Sequence, residues 1–540
     1  MSKLAQNVSS SSQMASNPTA AAREKLRKIE NLQSVVPGQR PARGQSLETL
    51  VDPFAKLAAS RGRPLKIAIV SDFTRIPYAN GAVFQTRFLY HELTKAGHEV
   101  TLIGPADPQT QAGELPPGTV ELPSVPLKTY PGLYLPVPTA SWIFDPDRWD
   151  FDLCFAQATT LVLEFALWLR KVKGIPVLCV NTTHLSAAYD VLLPEAVSKI
   201  PAVHAGVDAL LKRPCDQLFK RVYNESDGLI VLSEGLRRYW RERGVTVPIH
   251  VIPRVVQPEF FDKGIGDDPY RSFLPPGEQP RLLCAGRHTR EKSQDRVIRI
   301  FARYILPERP DATLTLLGKG PDTEFYKRVA EEEGCADRVF FPGEVPFTKM
   351  ADYYAHADIF VHTSLSETYG NVMGEALYCG TPVVAFSDGM GVTAQIDHGK
   401  NGVLLEPGRS ARGDAETDRA FGDAVLSLLA DPERRASLGN AAARRSRDRC
   451  SPHAVKTAMV AAFDSADSHM RKSALQPLAN MPRVVRWAAT ARHARSWGLV
   501  NGAIYFMGFL RPANGHATPA LQPAFNGVAS KSKPKIKLAV

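Results

Sequence analysis

Short apolar runs alternate with helical patterns twice over between residues 66 and 405, and this alternation restricts the fold more than any other feature. The first set comprises Ile67–Val70, Val100–Ile103, Leu153–Ala156, Val177–Val180, Leu229–Leu232 and His250–Ile252. The second comprises Leu282–Ala285, Leu314–Leu317, Val339–Phe341, Ile359–Val361, Pro382–Phe386 and Val403–Leu405. Such runs suit strands of parallel sheets covered on both faces. Amphipathic patterns between them, such as Phe84–Lys95, Glu324–Glu333 and Lys349–His356, supply the covering helices. The reading is α/β: two Rossmann-like, doubly wound parallel-sheet domains facing each other across a cleft. A chain of 540 residues can fill two cores of that size.

The expected organisation has a mobile N-terminal arm over 1–63, with room for one short helix. A first domain spans 64–255, a Pro- and Gly-containing hinge 256–280, and a second domain 281–450. C-terminal helices over 451–511 cross back or contact a membrane, and 512–540 is a disordered basic tail. The longest break in the alternation, Pro105 to Arg148, is rich in Pro, Gly and Tyr. An insertion of that length at a sheet rim is a substrate-side loop or a self-packed surface excursion.

Charge is distributed unevenly. The net charge is +11, and residues 468–540 hold eleven Lys and Arg with no Asp or Glu. The body is therefore formally neutral, and the tail carries the excess. Arginines 483, 486, 492 and 495 are interleaved with Trp487, Trp497 and Tyr505, a mixture that suits an anionic membrane surface. Those arginines spread around a helical projection without a clean stripe. A helix packed onto the first domain is the alternative, and nucleic acid is disfavoured because no binding module accompanies the charge. Seven scattered cysteines without a Cys-x-x-Cys pair read as small apolar residues in a reducing compartment. The N-terminus lacks a secretory apolar core, and the longest apolar stretch, Leu499–Leu510, is too short to span a bilayer. These features predict a cytoplasmic protein, with a peripheral position on the inner face of the plasma membrane if the tail binds lipid.

The chemistry-bearing stretch is Ser366-Glu-Thr-Tyr-Gly-Asn-Val-Met-Gly-Glu-Ala-Leu-Tyr-Cys-Gly-Thr-Pro-Val-Val-Ala385. It lies between two predicted strands, with room for a loop and a helix over about 371–379. Gly380 suits the left-handed residue after the helix, and Pro382 prevents continuation. Glu367 then sits in the loop and Glu375 in the first turns of the helix. Free N–H groups at the helix start favour an anion, above all phosphate, while carboxylates accept from sugar hydroxyls. A ligand carrying both, a nucleotide sugar, satisfies the pattern. In the second domain, strand Leu282–Ala285 runs into Gly286-Arg287-His-Thr-Arg-Glu-Lys292, placing two cations at the strand edge where open α/β sheets bind ligands.

The Glu-x7-Glu pattern with Ala-Leu-x-Cys-Gly-x-Pro-Val-Val-Ala resembles the retaining glycosyltransferases of family 4, which have the GT-B fold. The resemblance covers about residues 64–450. It implies that Arg287 and Lys292 hold the donor diphosphate, that Glu367 accepts from the donor sugar and that Glu375 accepts from the ribose. It implies backbone contacts from Tyr369, Gly370, Asn371 and Val372, base recognition around Val345, close phosphate approach at Gly81, and His184 beside the anomeric carbon. Two segments depart from the family: Asn80-Gly81 replaces paired glycines, and Pro253-Arg-Val-Val-Gln257 replaces Pro-Asn-Gly-Val-Asp.

No cofactor is expected beyond the nucleotide-sugar donor, a UDP-sugar by default, and no catalytic metal. Asp145-Pro-Asp147 lies in a loop, and Asp150-Phe-Asp152 enters its strand at the amino end, the wrong edge for a ligand. The implied activity is transfer of a hexose, with retention, to a lipid, lipid-linked or cell-envelope glycan acceptor. A soluble small-molecule glycosyltransferase or other GT-B enzyme, and a catalytically silent sugar-nucleotide-binding scaffold, are the alternatives.

Overall fold

The computed structural model describes residues 51–74, 81–108, 115–126, 134–136, 148–157, 162–181, 213–262, 264–408, 414–473 and 475–492, with a few isolated positions besides. Its frame is a pair of parallel sheets. The first contains β1 (Lys66–Ser71), β2 (Glu99–Pro105), β3 (Val120–Leu122), β6 (Leu153–Gln157), β7 (Val177–Val180), β8 (Gly228–Val231) and β9 (Ile249–Val251). They lie in the order β3-β2-β1-β6-β7-β8-β9. The second contains β10 (Arg281–Ala285), β11 (Thr313–Leu317), β12 (Val339–Gly343), β13 (Ile359–His362), β14 (Val383–Phe386) and β15 (Val403–Leu405), in the order β12-β11-β10-β13-β14-β15.

Central strands are apolar on both faces because helices cover both. β6, β7, β10, β11, β13 and β14 are buried along their whole length. Aliphatic partners set the register, with Ile67 paired to Val100 and Leu153, and Leu282 to Leu314 and Ile359. In each sheet the order reverses beside the first strand, between β1 and β6 and between β10 and β13. The chain thus opens a crevice at the carboxyl ends of those strands.

Three segments gain detail that the sequence reading did not give. The insertion after Pro105 contributes β3 as an edge strand of the first sheet, and β4 (Ser124–Pro126) pairs antiparallel with β5 (Tyr134–Pro136) as a separate ribbon. Three-residue strands leave too little periodicity to read. The supposed arm is packed at its end, where helix Pro53–Ser60 buries Phe54 and Leu57 under the capping carboxylate of Asp52. The hinge is also packed. Tyr270 is fully buried against Tyr353, and Asp268 holds Arg281 at 2.8 Å.

Helix Pro452–Lys472 returns to the first half. Val455, Met459, Ala462, Phe463 and Ala466 share a core with Phe54, Ile67 and Phe155. The Phe463 ring lies 6.4 Å from that of Phe54 and 6.3 Å from that of Phe155. Lys456 bridges Glu92, at 2.6 Å, and Asp52. Helix Pro432–Cys450 packs Gly439 against the Gly380 carbonyl so closely that a Cβ would collide with it. Phe463→Ala should destabilise the protein by about 3–5 kcal/mol and expose the last helix to protease. A thermal melt matching the parent protein would contradict this packing account.

Candidate active site

β10 ends at Ala285, and Gly286 turns the chain with φ +148, its N–H bonded to the Leu317 carbonyl at 2.9 Å. The loop that follows carries Arg287, which is exposed, and a short turn Arg290–Lys292 that ends at Ser293 in the left-handed region (φ 48). Lys292 Nζ donates to Glu367 Oε1 at 2.6 Å. Two further bonds join this loop to the one after β13. Thr363 Oγ1 donates to the Ser293 carbonyl at 2.7 Å, and Ser364 Oγ to that of Glu291 at 3.3 Å. His362, the last residue of β13, brings Nε2 to 3.4 Å from Glu367 Oε1. Burial opposes the negative charge of Glu367, but the Lys292 ammonium and His362 outweigh it and hold the carboxyl well below the usual range.

Glu375 has a different environment. It lies on helix Asn371–Tyr378, and Tyr354 Oη donates to its Oε2 at 2.9 Å. Burial dominates there, with the Tyr354 hydrogen bond pulling the other way, and the carboxyl is pushed up to about 7. The same helix starts from Gly370 in the left-handed region (φ 80, ψ 67), which leaves the first N–H groups of the helix, at Asn371 and Val372, outside the intrahelical ladder. Gln395 Nε2 donates to the Tyr369 carbonyl and fixes this turn. A Cβ on Gly391 would meet the Glu367 carbonyl at 2.6 Å, so glycine is required for that approach. The Tyr369 ring itself is buried, its Oη 3.1 Å from Cys450 Sγ. Only its backbone can serve a ligand.

Both halves contribute to a cleft whose lining includes Phe84, Arg254, Phe347, Tyr369, Asn371 and Glu375. Phe84 of the first half stacks on Phe347 of the second at 4.8 Å. Val345 is half-buried just beyond β12, two residues before that ring. Gly81 opens helix Gly81–Lys95, three residues before Phe84. Thus Lys292, Glu367, Gly370, Asn371, Val372 and Glu375 are clustered. His184 lies outside the described residues, as do Asp145 and Asp147. Asp150 and Asp152 are engaged at the amino edge of the first sheet, Asp150 by Lys66 at 2.6 Å and Asp152 by Arg63 at 2.6 Å.

Four residues at this site escape motif reading: His362, Tyr354, Gln395 and Arg254. Only Arg254 left a trace, as the arginine in the departing segment Pro253–Gln257.

Two family models match the chain. "Glycosyltransferase Family 4" covers residues 79–260, and "Glycosyl transferases group 1" covers 270–445. The alpha-monoglucosyldiacylglycerol synthase of Streptococcus pneumoniae is 27% identical over 59% of this chain and 71% of its own. The GDP-mannose-dependent alpha-(1-6)-phosphatidylinositol monomannoside mannosyltransferase of Mycolicibacterium smegmatis is 30% identical, over 41% of this chain and 57% of its own. The D-inositol 3-phosphate glycosyltransferase of Thermobispora bispora is 33% identical, over 51% of this chain and 62% of its own. The chain thus spans less than two thirds of the length of the latter two relatives. Among solved structures, sucrose-phosphate synthase from Thermosynechococcus elongatus superposes with a TM-score of 0.58 at 22% identity, covering 75% of this chain and 99% of its own. Anabaena HepE in complex with UDP-glucose gives 0.55 at 17% identity, covering 75% and 100%. These likenesses identify the two-sheet arrangement as the GT-B fold. With two adjoining family models spanning most of residues 79–445, the chain belongs to the family 4 glycosyltransferases.

Proposed function

We propose that the protein transfers a hexose from a nucleoside-diphosphate donor, a UDP-sugar by default, to a lipid or lipid-linked acceptor, with retention of configuration. The observation that carries this reading is the Lys292–Glu367 pair at 2.6 Å beside the helix start at Gly370, with Asn371 and Glu375 of that helix lining the cleft between the halves. Arg287 and Lys292 would stabilise the diphosphate as charge builds on it, which leaves no step that needs a resident cofactor or metal. Glu367, held ionised by its neighbours, suits accepting sugar hydroxyls and not donating a proton. His184 keeps its place near the anomeric carbon by resemblance alone. The acceptor oxygen would attack on the face the diphosphate leaves, and a leaving phosphate oxygen would take its proton.

A lipid acceptor is supported by relatives named as diacylglycerol and phosphatidylinositol enzymes. Local chemistry agrees. In the helical stretch 483–492, Val484 is 79% and Trp487 63% exposed, flanked by Arg483 and Arg486. Apolar and cationic groups side by side suit an anionic bilayer surface. Among the described residues no helix is long and apolar enough to cross a membrane. The inositol phosphate relatives favour a soluble, phosphorylated acceptor as the second reading.

Lys292→Ala and Glu367→Ala should each lower transfer at least about 100-fold, as expected for charge-assisted contacts made to the reacting groups, in protein that still folds by circular dichroism but melts lower, because each variant breaks a buried pair. Near-parental rates in either variant would remove that residue from the assignment. Ribose hydroxyls bond best to ionised Glu375, so binding the nucleotide should release a proton. UDP affinity should therefore fall as pH drops through about 7, approaching tenfold per unit in the limit. Glu375→Gln should lose that part of the slope in calorimetric titrations, and equal slopes would refute it. Vesicles containing phosphatidylglycerol should sediment the full chain, and binding should weaken for a Val484→Ser, Trp487→Ser double variant. Equal sedimentation of the two would exclude this patch as the anchor.

A further inference from the structure

Arg254 follows β9 in the segment that leads from the first sheet toward the second, and its side chain lines the cleft with Tyr369, Asn371 and Glu375. Its Nε and Nη1 are out of reach of solvent and have no hydrogen-bond partner among the described residues. Burial lowers the guanidinium pKa to about 10, against the opposing fields of Tyr369 and Glu367. Among the described residues the two carboxylates of the motif bond elsewhere: Glu367 to Lys292, and Glu375 to the Tyr354 hydroxyl. An arginine with buried, unmet donors is costly to keep unless a ligand completes it.

Two other side chains on the same cleft are incomplete. Gln85, from helix Gly81–Lys95, and Gln257, three residues beyond Arg254, are 6% and 7% exposed. Each leaves its Oε1 buried without a partner among the described residues. One amide comes from the first half, and the other from the linker beside the arginine. Among the described residues nothing fills these valences, and all three side chains line one cleft. Guanidinium forks match phosphate geometry, and amides match hydroxyls on a neighbouring carbon. The helix start at Gly370–Asn371, on the same wall, also favours an anion.

We infer that Arg254, with Gln85 and Gln257, forms a phosphoryl-binding subsite in the cleft, taking an anionic phosphate oxygen through the guanidinium and adjacent hydroxyls through the amides. The inference rests on the nucleotide-sugar reading above and adds a third cation to Arg287 and Lys292. The phosphate has two sources: the donor's diphosphate, or a phosphate carried by the acceptor. The subsite accounts for the arginine in Pro253–Gln257 as a specificity element.

The test is calorimetric, on the full chain. UDP is titrated into the parent protein, Arg254→Gln and Lys292→Ala, and inorganic phosphate is then titrated into each protein saturated with UDP. Arg254→Gln should weaken one of the two ligands by on the order of tenfold to a hundredfold, the range for hydrogen bonds to a charged group. Loss of UDP affinity assigns the subsite to the donor. Loss of phosphate binding with UDP affinity intact assigns it to the acceptor. The melting temperature of ligand-free Arg254→Gln should match or exceed that of the parent, because an uncompensated charge is removed; a purely structural arginine would lower it. Affinities for both ligands within twofold of the parent would overturn the inference. Should Arg254→Gln not fold, Arg254→Lys keeps the charge but not the fork, and undiminished affinities there would overturn it equally. If UDP fails to bind even the parent protein, the nucleotide-sugar reading falls, and phosphate titrated into ligand-free parent and Arg254→Gln decides the subsite alone.

Discussion

The ion pair between Lys292 and Glu367 is the constraint around which the second half is arranged. Its members leave the carboxyl ends of β10 and β13, which are neighbours only because the strand order reverses between them. A buried carboxylate without that ammonium would be strongly unfavourable. The pair therefore depends on the same reversal that opens the crevice. The hydrogen bonds from Thr363 and Ser364 across to the Lys292 loop hold the two strand ends in the geometry the pair requires. Gln395 and the close approach at Gly391 then fix the turn at Tyr369–Gly370, from which the anion-seeking helix start follows.

Glu367 and Glu375 belong to one short motif yet differ in electrostatic character. One is surrounded by an ammonium and an imidazole, the other by apolar neighbours and a tyrosine hydroxyl. Their separation in acidity follows from those surroundings, since the residue type is the same. A donor that needs a permanently charged acceptor at one end and a titrating one at the other would find both within eight residues of chain.

The halves are connected twice. The chain leaves the first half through the segment containing Arg254 and returns through helices Pro432–Cys450 and Pro452–Lys472. The return places Phe463 and Lys456 in the first core, while Gly439 stays against Gly380 of the second. Two crossings confine relative motion of the halves more than a single linker does. The unmet donors of Arg254 lie on one of these crossings, so a ligand that satisfied them would act where the halves meet.

Strand positions, the parallel class and the acidic motif were legible from sequence because each is a local pattern. Apolar runs report burial on both faces, Gly380 and Pro382 end a helix wherever it lies, and Gly286 marks the turn after β10. The edge strand Val120–Leu122 was not legible, because three residues carry no period. Helix Pro53–Ser60 fell in the stretch read as an arm with one short helix, and the return of helix Pro452–Lys472 was one of two readings, because their apolar faces become core only against each other and the first sheet. The sequence by itself determined which residues could carry charge to the sheet edge. Only the tertiary structure decided that Lys292 neutralises Glu367, that Tyr354 meets Glu375, and that Nε and Nη1 of Arg254 are buried with no partner among the described residues. Those outcomes depend on distances between segments tens to hundreds of residues apart, and electrostatic energy depends on that distance and on the exclusion of water, neither of which a linear pattern records.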